Sequence, residues 1–293
     1  MNKILSNRII ILLTALLLVG CASEGPAKRA TESEGLISAR ARNNLAVKNP
    51  EGLIRVAEGF ERSGNLQGAL NLFGQAMVAD PALIDAQVAY ARVLIRLGSS
   101  ERGTAMLTAL LSDHPDNDNV RAELAKAHIK RGDFKAAALF LRPILEKPSI
   151  SAQHLDIAGM VAQVNGDPER ARELFSQALD KSVGDPAILQ NMALSFALEG
   201  NYASAVGLLQ TAMDRSSGLV SGKVALATVY ALSGQLEAAM HLARGSMELG
   251  KANERKMFYQ LLPRLTVQER AVAVMFDRVP TDAITRLSGN VAK

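Results

Sequence analysis

Between residues 50 and 251 the small and apolar positions of the chain return with a fixed period. Gly64, Gly98, Gly132, Gly166, Gly200 and Gly234 are each 34 residues apart. Five positions after each comes a small residue, in turn Ala69, Gly103, Ala137, Ala171, Ala205 and Ala239. Seven positions before each glycine comes another, Ala57, Ala91, Ala125, Gly159, Ala193 and Ala227. Larger residues fall between: Phe60, Leu94, His128, Phe196 and Tyr230 three positions after the first small residue, and Phe73, Leu107, Leu141, Phe175 and Leu209 nine positions after the glycine. A repeat of this length predicts one helical hairpin per period. The first small residue lets helix A approach helix B. The glycine ends helix A, and the second small residue sits where helix B meets the next helix A. Pro81 and Pro115 keep the same spacing, and Pro148 and Pro186 fall close to it, where a second helix has to stop.

The pattern changes at both ends. Residues 252–278 read as C-terminal capping helices: one from Asn253 to Leu262, halted at Pro263, and one opened by a capping box of Thr266 and Glu269. Residues 279–293 carry no strong signal and read as a tail. At the other end, Lys3 and Arg8 precede an apolar run from Ile9 to Val19 broken only by Thr14, which predicts a secretory signal over residues 1–20. The run is too short to span a bilayer comfortably. Residues 21–49 mix charged and small residues and read as a flexible tether.

Composition agrees with an all-α chain. Hydrophobic residues make up 48% but aromatics only 4%, there is no Trp, and Ala and Leu carry the apolar content, so strand-forming residues are scarce. The formal charge of +4 falls to +2 once Lys3 and Arg8 are removed with the signal. With no basic runs and few aromatic platforms, a nucleic-acid partner is not expected. The single cysteine, Cys21, excludes an internal disulfide and a multi-cysteine metal site.

Two resemblances follow from these residues. Leu18-Val19-Gly20-Cys21 resembles the bacterial lipobox, which implies a diacylated Cys21 and a chain anchored through its N-terminus; the alternative is an ordinary signal with an incidental cysteine. Ala22 after the cysteine is similar to outer-membrane lipoproteins of this kind, since Asp there is the usual inner-membrane retention signal, so a lipid-anchored protein on the periplasmic face of the outer membrane is expected. The 34-residue pattern resembles the tetratricopeptide (TPR) repeat, over roughly residues 50–251. Its early Trp is absent, with Leu53, Gln87, Arg121, Leu155, Leu189 and Lys223 in that place. The resemblance implies an all-α superhelical solenoid of about six helix-turn-helix repeats.

The TPR resemblance also implies a concave groove lined mainly by helix A. Carried over position by position, it gives Glu58 and Arg62, Arg92 and Arg96, Lys126 and Lys130, Met160 and Val164, Leu194 and Leu198, then Thr228 and Leu232, with Gln163 and Gln190 nearby. Repeats two and three then offer four cations at i, i+4 spacing, and repeats four to six an apolar stripe. One reading is a site for a peptide that is part acidic and part apolar. The other is that the cations are a solvated face and that Leu194 and Leu198 pack against the superhelix's own C-terminal end. On the first reading, reversing Arg92 and Lys126 to Glu is expected to abolish partner capture without loss of helix.

Catalysis has no candidate. His114, His128, His154 and His241 fall at different repeat positions without metal-ligand spacing, and no nucleophile elbow or phosphate-binding loop is present. No cofactor and no enzymatic activity are expected. Lipobox, short tether and about six repeats together resemble the TPR lipoprotein of Tad (Flp) pilus assembly. Asn191-Met192-Ala193-Leu194-Ser195-Phe196-Ala197-Leu198-Glu199-Gly200 is similar to a repeat common there. That resemblance implies a pilotin-like scaffold, with a secretin or other pilus assembly component as partner. Alternatives are a pilotin for type IV pili or type II secretion, and a scaffold for a polysaccharide or cell-wall complex.

Overall fold

The computed structural model describes residues 49–216 and 220–289. The signal segment 1–20, the lipidation candidate Cys21 and the tether as far as residue 48 lie outside the described residues. So do 217–219 and 290–293. The described chain is a succession of helices. They pair as α1 (Pro50–Arg62) with α2 (Leu66–Ala79), α3 (Ile84–Arg96) with α4 (Ser100–Asp113), and α5 (Asp118–Arg131) with α6 (Phe134–Leu145). The next pairs are α7 (Ala152–Val164) with α8 (Pro168–Lys181), α9 (Pro186–Leu198) with α10 (Tyr202–Arg215), and α11 (Val220–Leu232) with α12 (Leu236–Arg244). Each helix packs on its neighbours in sequence, and the first helices of successive pairs also touch, α3 with α5, α7 with α9 and α9 with α11. The odd-numbered helices therefore line one inner face of an all-α solenoid of six hairpins.

Local chemistry sets the helix ends. The side chains of Asn49, Asn65, Asn117, Asp133, Ser151, Asp167, Asp185 and Asn201 each accept a hydrogen bond from a backbone N–H of the turn they open. Such a cap contributes about 1 kcal/mol. The six periodic glycines close the first helix of every pair with φ between +82° and +95°, a region that costs an L-residue roughly 1–2 kcal/mol. Two glycines stand where the other repeats have alanine, and contact explains them. A Cβ at Gly159 would lie 2.7 Å from the Phe175 ring, and one at Gly103 2.7 Å from the Ala91 carbonyl oxygen.

The buried residues fall into three clusters. One joins the first two repeats, from Leu53 to Val93, and a second joins repeats two and three, from Val88 to Ala127. The third is continuous from Ala122 to Leu287 and includes the whole C-terminal segment. That segment is α13 (Leu249–Leu261), a 3-10 turn (Leu262–Arg264), α14 (Val267–Phe276) and α15 (Thr281–Gly289). α13 begins four residues before Asn253, so it crosses the boundary drawn from sequence at residue 251. Thr266 and Glu269 make the reciprocal capping box: the Thr266 N–H donates to Glu269 Oε2 at 2.8 Å, and the Glu269 N–H to Thr266 Oγ1 at 3.3 Å.

The stretch 279–293, read from sequence as a tail, contains a helix, α15. At nine residues it is too short to be stable alone. It forms against α14, burying Ala283 and Leu287 at i, i+4 spacing and pairing Arg286 with Glu269 at 2.6 Å. Among the described residues no helix is long and apolar enough to cross a membrane.

Candidate protein-binding groove

Among the described residues, the inner face is open in its N-terminal half. A cleft of about 440 Å³ runs across α1, α3 and α5 to the first turn of α7, where Gln153 and His154 close it. Its floor is apolar, with Ile54, Val88, Ala89 and Ala122, and its walls carry Glu51, Arg55, Glu58, Asp85, Arg92, Glu123 and Lys126.

The predicted cations are at this face, but they are not free. Arg92 holds Glu61 in a two-pronged contact, Nε to Oε1 at 3.0 Å and NH2 to Oε2 at 2.7 Å, and Arg96 NH1 donates to Glu61 Oε1 at 2.8 Å. Arg92 also stands 3.8 Å from Glu123, whose carboxylate accepts from Lys126 Nζ at 2.7 Å. Lys130 Nζ donates to the Ile95 carbonyl at the end of α3. Arg62 faces solvent beside Glu58. The two carboxylates at the centre, Glu61 and Glu123, are only 8% and 6% exposed. Burial works to raise the Glu61 carboxyl, but the hydrogen bonds and charges of Arg92 and Arg96 outweigh it and hold it below its ordinary value. Burial likewise opposes the Arg92 charge, and Glu61 and Glu123 more than offset it. The cations expected to line the groove thus belong to a network of ion pairs and hydrogen bonds that bridges repeats one, two and three.

The apolar half is filled. α14 lies across α7 and α9 on the inner face. Its Val272, Val274 and Met275 share one core with Val164 and Leu194, which are 1% and 5% exposed, and with Met160, Leu198 and Leu232 at its margin. Gln163 is buried and accepts from Ser195 Oγ at 2.5 Å. Gln190 is half-buried on α9. The stripe of Met160, Val164, Leu194, Leu198 and Leu232 is therefore not an open peptide site. Leu194 is buried in the core that α14 shares, and Leu198 is half-buried at its margin.

Four groups important to the face were not singled out from sequence. Glu61 and Glu123 are two. Arg278, just past α14, is the third: its guanidinium donates to the carbonyls of Ile129, at 3.1 Å, and Lys130 at the end of α5, while Phe276 stacks on Phe134 with ring centres 5.3 Å apart. The fourth is Asp156 on α7. Burial pushes its carboxyl up to about 6, two hydrogen bonds from Asn191 Nδ2 at 3.0 Å oppose the rise, and the charge of Asp185 adds to it. Burial also lowers His154. No group of His, Cys, Asp and Glu among the described residues could hold a metal ion.

With this geometry in view, the comparisons with known proteins agree on the architecture. Two tetratricopeptide-repeat models match residues 101–148 and 158–219. The structure of PilW, described as a widely conserved type IV pilus biogenesis factor, superposes with a TM-score of 0.56 at 15% identity, over 67% of this chain and 91% of PilW. A tetratricopeptide repeat protein from Parabacteroides merdae gives a TM-score of 0.56 at 17% identity over 82% of this chain and 97% of its own. PilF of Pseudomonas aeruginosa gives 0.55 at 16% over 76% and 98%. No curated protein matches the chain by sequence. At these identities the likeness concerns the fold. The chain is an all-α solenoid of tetratricopeptide repeats, a fold whose work is binding other proteins.

Proposed function

We propose that this chain is a non-enzymatic adaptor that holds a segment of a partner protein in the open cleft of repeats one to three, and that it is carried on the outer membrane by acylated Cys21. The observation that carries the reading is the asymmetry of the inner face. One half is filled by α14, whereas the other keeps a cleft of about 440 Å³ with an apolar floor and polar walls. An apolar floor supplies affinity and fixed polar groups supply orientation, which suits an extended or helical segment of a partner.

The client is a component of an envelope-spanning pilus machine, most specifically the secretin of a Tad (Flp) system. The lipobox, short tether and repeat number support this. A type IV pilus client is the second reading, favoured by the shared architecture with PilW. Affinity capture of the membrane-solubilised protein from its host, followed by mass spectrometry, tests both. Recovery of a secretin or pilus assembly protein, together with loss of pili and a misplaced secretin in a deletion strain, is the expected result. Normal piliation in that strain would refute the pilus role.

A further inference from the structure

The inner face contains an unbroken series of links between elements far apart in sequence. Arg278, at the end of α14, donates to the last carbonyls of α5, those of Ile129 and Lys130. Lys130 itself reaches from α5 to the Ile95 carbonyl at the end of α3. Beside Ile95 on α3, Arg92 and Arg96 reach to Glu61 on α1. The contact of Arg278 with Lys130 spans 148 residues, whereas the links that follow span 35 or 31 residues, one repeat each. In a repeat array each unit ordinarily contacts only its neighbours. Here the C-terminal segment returns to the third of six repeats.

α5 is the shared element. One side of it presents Glu123 and Lys126 to the open cleft, its last turn is held by Arg278, and the stacking of Phe276 on Phe134 holds the start of α6 just after it. Beside these groups a crevice of about 670 Å³ lies between the α5–α6 turn and the 266–282 segment, with Arg278 and Phe134 in its lining. α5 packs on α3, α4 and α6 within the repeat array, and Arg278 adds to that packing a restraint from a segment far along the chain. A cation donating to the terminal carbonyls of a helix satisfies groups that have no partner inside it and is favoured by the helix dipole. A guanidinium, with several donors in one plane, can hold two carbonyls at once.

We propose that Arg278 is a positioning residue for the cleft: it fixes the tilt of α5, and through Lys130, Arg92 and Arg96 the relative placement of α3 and α1, so that seating of the C-terminal segment sets the width of the partner site. The inference rests on the groove reading only for its functional meaning. The structural coupling can be measured without a partner.

Spin labels are placed on the outer helices at Val78 on α2 and Leu139 on α6, both exposed, in an otherwise full mature chain with C21S. Their separation is read by pulsed electron resonance, alongside helical content by circular dichroism. In the parent a single narrow distance distribution is expected. Arg278→Ala should shift it or at least double its width with helical content unchanged, and Arg278→Lys should restore part of the order through one carbonyl. Lys130→Met, which breaks the series in the middle, should reproduce the effect of Arg278→Ala. Arg286→Ala loosens α15 from Glu269 without touching the series and should leave the distance as in the parent.

An unchanged distance in Arg278→Ala overturns the proposal. So does an effect of Arg278→Ala that Lys130→Met does not share, or an equal effect of Arg286→Ala, since the segment would then act only as general support. Failure here leaves the groove reading intact, and failure to capture a partner leaves the coupling intact.

Discussion

Repeats one to three and repeats four to six share one 34-residue frame, yet they use the inner face in opposite ways. In the first half that face carries charges tied to one another, Arg92 and Arg96 to Glu61 across one repeat and Lys126 to Glu123 within α5, and it stays open. In the second half it is apolar and filled by α14. The hairpin frame depends on small residues and glycines between helices. The inner face depends on other positions, so the two can vary independently. An apolar face must find a cover, and here the chain supplies it. A polar face with paired charges can remain in water and be available to a partner.

The difference predicts how each half fails. Val274→Asp, at a position 5% exposed between α14 and the inner face, buries an unpaired charge and should cost about 4 kcal/mol. Loss of protection in hydrogen exchange should spread over repeats four to six and spare α1 and α2. Leu72→Ala, in the separate first cluster, should cost about 3 kcal/mol and open only repeats one and two. Equal loss of protection in both halves for either variant would show that they are one cooperative unit.

Reversing Arg92 and Lys126 together to Glu gives the next largest effect. Each new carboxylate would face Glu61 or Glu123, and the cost should be about 2–3 kcal/mol, below that of a fully buried pair because both cations are partly exposed. Lost stability in urea would therefore accompany any lost capture, so this double variant is not a clean probe of binding. Glu58→Lys, on the cleft wall with a weak 3.9 Å contact to Arg62, should change capture with little loss of stability.

The halves should also respond oppositely to pH. Asp156, raised to about 6 in the fold, binds its proton more tightly than in the unfolded chain. Stability is then lost as pH rises from about 4 through 6, by up to about 3 kcal/mol. Asp156→Asn should return that amount at pH 7.5 and almost nothing at pH 4, as urea midpoints would show. Glu61 is depressed, so its contribution is present above its unfolded pKa of about 4.5 and is lost as pH falls through the lower folded value. Glu61→Gln should therefore destabilise the protein at pH 7 and matter much less in strong acid. The smallest expected effect is that of salt: about 0.5 kcal/mol of softening in repeats one to three at molar NaCl, and none resolvable in repeats four to six.

The sequence makes the hairpins legible because their requirements are local and repeated. Gly64 to Gly234 mark the turns, and Thr266 with Glu269 marks the start of α14. It also contains the pairing of Glu61 with Arg92 and Arg96, at separations of 31 and 35, in a form that a period of 34 does not single out. Those partners lie one repeat on, three residues short or one beyond, and only the stagger of neighbouring helices shows which cation meets which acid. The filling of the apolar half was open between two readings, since a stripe such as Val164, Leu194 and Leu198 says that something covers it but not what. α15 was missed because nine residues with two apolar anchors give almost no periodic signal away from α14. Arg278 was invisible for a different reason: its acceptors are backbone carbonyls, which no residue type announces.

On the proposed function a partner occupies the open half while α14 stays in the other. The most direct test is hydrogen exchange on the mature protein with and without its captured partner. New protection is expected in α1, α3 and α5, with undiminished protection in α14. New protection in α7 and α9 with α14 becoming exchangeable would contradict it, because the partner would then have displaced the chain's own helix from the inner face.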